Sequence, residues 1–257
     1  MLHEPQHQAR APELVAHRGN VADFPENTLP AFKSALDAGL GWVELDVQLS
    51  ADRVPFVIHD ATLERTTRAT GDVRTMAADA LAGVDAGEPA RFGDRQLATP
   101  LPRLAEFASL LAQYPAAQAF IELKRASLQL HGRASCIDRV LEALAPVAAR
   151  CVIISFDERA VAMARERAGL RIGWVLRDYN RGQLGALATL AADFAFVNYQ
   201  KLKDDQARLQ AGPWRWAVYE VEDGRRALIE HARGAALVES MVPLRVLHDL
   251  RAGRDQP

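Results

Sequence analysis

The sequence predicts an α/β chain folded as a single (β/α)8 TIM barrel with a small insertion after the second strand. Three observations carry this. Eight short apolar runs alternate with stretches of helical pattern, which implies a parallel sheet flanked by helices. The 257 residues suit one closed barrel, which needs about 250 residues. No Gly-rich phosphate turn follows a strand and no linker divides the chain, which disfavours the alternative of an open doubly wound sheet.

Leu14-Val15-Ala16-His17 reads as the first strand, ending in the loop Arg18-Gly19-Asn20. Thr28 is the expected N-cap of an amphipathic helix through Ala38 that Gly39 closes. Gly41 to Leu49 alternates apolar and polar residues as a second strand. After a tight connection at Ala51-Asp52-Arg53, the run Val54 to His59 is placed to pair back on it as a hairpin. Residues 61–97 lack sustained periodicity and are too many for a plain connector, so they are read as an insertion with some short helix. Helices are then expected at 102–113, 133–149, 157–168, 181–191, 204–211, 223–232 and 243–252. Strands are expected at 120–123, 151–154, 172–176, 194–197, 216–219 and 236–238. The whole of 1–257 is read as one domain, with about 1–11 flexible.

Composition narrows the function. With 49% hydrophobic and 25% charged residues the chain is an ordinary globular protein. A net charge of −2 argues against nucleic acid as a partner. Cys136 and Cys151 form neither a CxxC nor a disulfide framework, which fits a reduced compartment. The polar first 13 residues resemble no leader, and no apolar run reaches the roughly 18 residues of a membrane span, so a soluble cytoplasmic protein is expected. No helix face marks an oligomer seam.

In such a barrel the loops leaving the C-terminal strand ends form one shared mouth. His17 and Arg18 end the first strand, Glu44 and Asp46 lie in the second, His59 and Asp60 end the hairpin, and Glu122 and Lys124 end the next strand. Glu44 and Asp46 are two apart, so their side chains share a face, where burial would be costly without a cation. A solvent-facing strand explains that pair equally well. Glu122, inside Phe-Ile-Glu-Leu-Lys, is harder to place on a surface. Three carboxylates without metal-spaced His or Cys favour a hard divalent cation, Mg²⁺ or Ca²⁺. His17 and His59 are the candidate proton-transfer pair, because imidazole titrates near neutrality. The remaining histidines read as structural. Arg18 and Lys124 suit a phosphate, or balance the acids. Trp216 and Tyr219 are candidates to line the pocket, against a plain role in the barrel core.

His17-Arg18-Gly19, Pro25-Glu26-Asn27-Thr28, Glu44-Leu45-Asp46-Val47, His59-Asp60 with Leu63-Glu64-Arg65-Thr66-Thr67, and Glu122-Leu123-Lys124 occur in an order and spacing that resemble the glycerophosphodiester phosphodiesterases of the bacterial, cytoplasmic type. The motifs fill roughly the first half of the chain. The resemblance implies metal-dependent hydrolysis of glycerophosphodiesters to glycerol 3-phosphate and an alcohol. It gives proton transfer to His17 and His59, the metal to Glu44, Asp46 and Glu122, and phosphate contact to Arg18 and Lys124, with Asn27 shaping the phosphate end. Tyr219 stands where relatives have Asn, and Val238-Glu239-Ser240-Met241 where they have Thr-Asp. These departures are expected to lie outside the metal and proton-transfer set and to bear on the alcohol. The rivals are a lysophospholipase D acting on lipid and a silent phosphate-ester binding protein on the same scaffold.

Overall fold

A computed structural model describes residues 11–96, 98–202 and 207–252. The stretch of residues 1–10, expected to be flexible, lies outside the described residues. Eight parallel strands close into a barrel: β1 (Glu13–His17), β2 (Trp42–Leu49), β4 (Gln118–Leu123), β5 (Cys151–Ser155), β6 (Arg171–Val175), β7 (Phe194–Asn198), β8 (Arg215–Tyr219) and β9 (Ala235–Ser240). Pairing of β1 with both β9 and β2 completes the ring, so no parallel strand is left with a bare edge. β3 (Pro55–Val57) is the anticipated hairpin partner, antiparallel to β2 with Val47 opposite Val57.

Two apolar layers explain why the strands read as continuous apolar runs. Inside the barrel Val15, Trp42, Phe120, Val152, Phe194 and Phe196 pack together, with Trp42 stacked on Phe120 at 4.5 Å between ring centroids. The opposite faces of the same strands pack against the helices. A third cluster, including Phe56, Leu63, Val73, Leu81 and Leu101, gives the insertion a small core of its own. That insertion contains a 3-10 turn at Val73–Thr75 and the short helices α2 (Ala78–Ala82) and α3 (Pro89–Phe92).

The outer helices are α1 (Leu29–Asp37), α4 (Leu104–Ala112), α5 (Arg125–His131), α6 (Arg133–Leu144), α7 (Glu158–Ala168), α8 (Arg181–Leu190), α9 (Gly224–Arg233) and α10 (Pro243–Ala252). Thr28 does sit at the N-cap of α1, but its hydroxyl donates to the Pro25 carbonyl at 2.7 Å instead of accepting from the helix. Three expectations differ from the structure. The helix expected over 133–149 stops at Leu144 and continues as a 3-10 turn, because Pro146 has no N–H to extend the α-helical ladder. α5 was not anticipated; Gly132, at φ +82°, separates it from α6. The helix expected over 204–211 lies partly outside the described residues, and 207–211 are irregular. There the Leu209 amide donates to the Arg233 carbonyl and the Gln210 amide to the Tyr179 hydroxyl, so these donors are committed to partners elsewhere.

Candidate active site

The β1 turn is built to bring charge under α1. Gly19 adopts φ +90°, and a Cβ there would lie 2.6 Å from the Ala31 backbone. Arg18 and Asn27 are also left-handed, at φ +57° and +58°. The Arg18 amide donates to the Glu44 carbonyl and the Asn27 amide to the Arg18 carbonyl, both at 3.0 Å, which fixes the loop over the end of β2. Register does the rest: His17 lies opposite Glu44, and Asp46 opposite Glu122.

Asp46 is the electrostatic centre. Its side chain is fully buried and lies 3.0 Å from the Arg18 Nε and 3.1 Å from the Lys124 Nζ, and it accepts from the Asn27 amide at 2.8 Å. Burial opposes its ionisation, but Lys124 and then Arg18 hold it far below the usual carboxylate range. Lys124 also reaches Glu122, at 2.9 Å. Glu44 and Glu122 have less support. Burial, the largest cause, pushes both upward, and Asp46 adds to the rise; for Glu44 the next contribution comes from Glu239.

The two histidines differ. His59 places Nδ1 2.6 Å from the Asp60 carboxylate, so Nε2 is the ring nitrogen not engaged by Asp60. Asp60 is held in turn by Arg65, whose guanidinium forks onto Glu26 at 2.7 Å for each nitrogen, and Glu26 also accepts from Arg18 at 3.0 Å. One line of alternating charges thus runs from His59 to the Arg18 that meets Asp46. His17 is buried, its Nδ1 unpartnered and its Nε2 3.4 Å from Glu239 and 3.8 Å from Glu44. Burial and then Arg18 push its pKa well below the ordinary histidine value, so it rests neutral.

A cavity of about 160 Å³ collects these groups. His17, Arg18, Glu44, His59, Glu122, Lys124 and Glu239 line it together with Phe156, Phe196, Tyr219 and Glu220. A larger groove of about 620 Å³ shares His59, Glu122 and Lys124 and runs outward between the ends of β3, β4 and β6.

Two sequence-derived placements change. Trp216 is not at the mouth: it faces the layer between sheet and helices, beside Tyr179 and Trp214, and its indole N–H donates to the Gln210 carbonyl. The alternation of β8 turns Tyr219 into the cavity and Trp216 away. Asn27 sits behind Asp46, donating to its carboxylate and accepting from its amide, and does not border the cavity. Sequence reasoning also set Glu239 outside the reacting groups, whereas it stands against His17. The signal was present: an acid ending an apolar strand, as Glu122 does.

The donor set suits a hard cation. Ligand atoms of Glu44, Asp46 and Glu122 lie within 4.8 Å of one another, as do those of His17, Glu44 and Glu239. Glu44 Oε1 is buried with no hydrogen-bond partner. Acids pushed up by burial and then by one another, and an orphaned carboxylate oxygen, both call for added positive charge.

Comparison with known proteins agrees with this geometry. A curated glycerophosphodiester phosphodiesterase of Caldanaerobacter subterraneus is 40% identical over 98 residues, 38% of this chain and 40% of that protein. One from Bacillus altitudinis is 33% identical over 151 residues, 59% of this chain and 60% of that protein. The matched stretches therefore span about half the length of these curated relatives. An Oleispira antarctica phosphodiesterase solved with the product sn-glycerol-3-phosphate superposes with a TM-score of 0.82 at 25% identity, covering 94% of this chain and 97% of that one. Residues 17–228, which hold every strand-end group described above except Glu239, match the glycerophosphoryl diester phosphodiesterase family, and the chain belongs to it.

Proposed function

We propose that the protein hydrolyses glycerophosphodiesters to glycerol 3-phosphate and an alcohol, with a divalent cation required. The observation that carries this is the meeting of His17, His59, Arg18 and Lys124 with Glu44, Asp46 and Glu122 at one strand-end cavity. Arg18 and Lys124 border the cavity as donors to a bound phosphate. In the overall reaction a P–O bond to the alcohol breaks and one to a water oxygen forms, with a proton delivered to the departing alcohol. His17, neutral at rest, and His59, oriented by Asp60, are placed to take and give that proton. Asn27 holds the Asp46 carboxylate in position.

Glu44, Asp46 and Glu122 would hold Mg²⁺ or Ca²⁺, which stabilises charge building on the phosphoryl oxygens when bound. A cytoplasmic setting agrees with Cys136 and Cys151, both buried and unpaired. No helix among the described residues is long and apolar enough to cross a membrane.

The test is release of glycerol 3-phosphate from glycerophosphocholine by purified protein, first in EDTA and then with Mg²⁺ or Ca²⁺ restored. Release that depends on the cation is expected. If neither cation gives product, lysophospholipids are tried next, and inactivity on both substrates would leave a binding protein.

A further inference from the structure

Arginines gather along the outer part of the site, beyond the mixed charges of the inner cavity. The 160 Å³ cavity mixes Glu44, Glu122, Glu220 and Glu239 with Arg18 and Lys124, and the buried Glu239 lies 3.4 Å from the His17 Nε2. The 620 Å³ groove shares His59, Glu122 and Lys124 with that cavity and adds Asp60, Arg125 and Arg177. It adjoins a further depression of about 280 Å³ that shares Arg125, Phe156 and Arg177 and adds Arg133, Arg159, Asp157 and the exposed Glu158, four arginines against two acids.

Arg125, Arg159 and Arg177 make no side-chain ion pair or hydrogen bond among the described residues. The nearby acids are mostly committed. Asp157 takes Arg133 at 2.7 Å and caps α7, Asp60 takes His59 and Arg65, and Glu122 takes Lys124. In a chain of net charge −2, uncompensated arginines gathered along one groove are a local excess that the composition does not require.

Resting on the hydrolytic reading above, the geometry points to a substrate class: glycerophosphodiesters whose leaving alcohol carries a second anionic group, a carboxylate or another phosphate. The cations of the inner cavity, Arg18 and Lys124, are already paired with Glu26, Asp46 and Glu122 and serve the reacting phosphate, so a second anion finds no unpaired cation there and glycerol is seated inward. The anionic alcohol then lies outward along the groove, where Arg125 and Arg177 receive it. Cleavage transfers the phosphoryl group to a water oxygen and releases the anionic alcohol, with its proton, from the arginine-lined side.

The matched pair glycerophosphoserine and glycerophosphoethanolamine differs by one carboxylate, and bis(glycerophospho)glycerol supplies the phosphate case. Wild-type kcat/KM is expected to be about 10-fold higher on glycerophosphoserine or bis(glycerophospho)glycerol than on glycerophosphoethanolamine, and whichever is preferred identifies the anion. The double variant Arg125→Gln, Arg177→Gln should remove that preference through KM and leave glycerophosphoethanolamine turnover unchanged. Equal wild-type rates on all three, a preference for the ethanolamine ester, or a variant that slows all substrates alike would overturn the assignment with the hydrolytic reading intact. No product from any of them, with Mg²⁺ or Ca²⁺ present, would overturn both.

Discussion

His17 and His59 reach the same cavity from different strand ends, yet only His59 has a close carboxylate partner, 2.6 Å away in Asp60. His17→Ala and His59→Ala should each lower turnover by about 10² or more while circular dichroism stays native, since each removes a proposed proton-transfer partner. Near-wild-type turnover in either variant would take that residue out of the reaction. Asp60→Asn keeps the size of the side chain but removes the charge that fixes the tautomer of His59. It should lower kcat by about 10-fold with KM little changed, a smaller loss than removing the imidazole. An equal loss in KM would instead mean that the Arg65 and Glu26 line, and with it Arg18, had collapsed.

At the scale of elements, the loop between β1 and α1 is the least tolerant part of the site. Gly19→Ala places a methyl on the Ala31 backbone at φ +90°. The left-handed penalty is about 1–2 kcal/mol, and the overpacking adds about 1–3 kcal/mol. The variant should melt roughly 4–20 °C lower, using about 2–4 °C per kcal/mol for a chain of this size, and an unchanged melting temperature would show that the loop yields. This turn was readable in part: Gly after His-Arg marks a loop, but the close approach of α1 is a fact of packing. The helix expected over 204–211 fails for a related reason, because Arg233 and Tyr179, distant in sequence, take the amides of Leu209 and Gln210.

At the scale of the whole molecule, barrel closure concentrates four carboxylates, Glu44, Asp46, Glu122 and Glu239, in one buried volume. The folded values of Glu44, Glu122 and Glu239 are raised, so the native state holds protons that the unfolded chain has released. Their contribution to stability is therefore full below the ordinary glutamate value of about 4.3 and is lost as pH rises through the raised folded values. Asp46, Glu26 and Asp60 act oppositely; their contribution is lost as pH falls through depressed values. His17, held low, also favours the higher pH side, so four of these groups oppose the three raised glutamates. A cation displaces the protons of the raised acids, so Mg²⁺ or Ca²⁺ added to EDTA-treated protein should raise the melting temperature more at pH 7.5 than at pH 5. A cation effect independent of pH would remove Glu44 and Glu122 from the binding group.

The amino-acid sequence by itself determined the barrel, because strand and helix periodicity with a count of eight leaves few topologies. It also marked the strand ends where charge gathers, since His17, Glu44, Asp46, His59 and Glu122 interrupt apolar runs. Only the tertiary structure decided which groups face one another. Glu239, some 200 positions from His17, meets it because β9 pairs with β1 to close the ring. Trp216 turns outward and Tyr219 inward because alternation along β8 is phased by the barrel. Local pattern records whether a residue is buried; which neighbours it is buried against depends on strand register and closure, set by contacts distant in sequence.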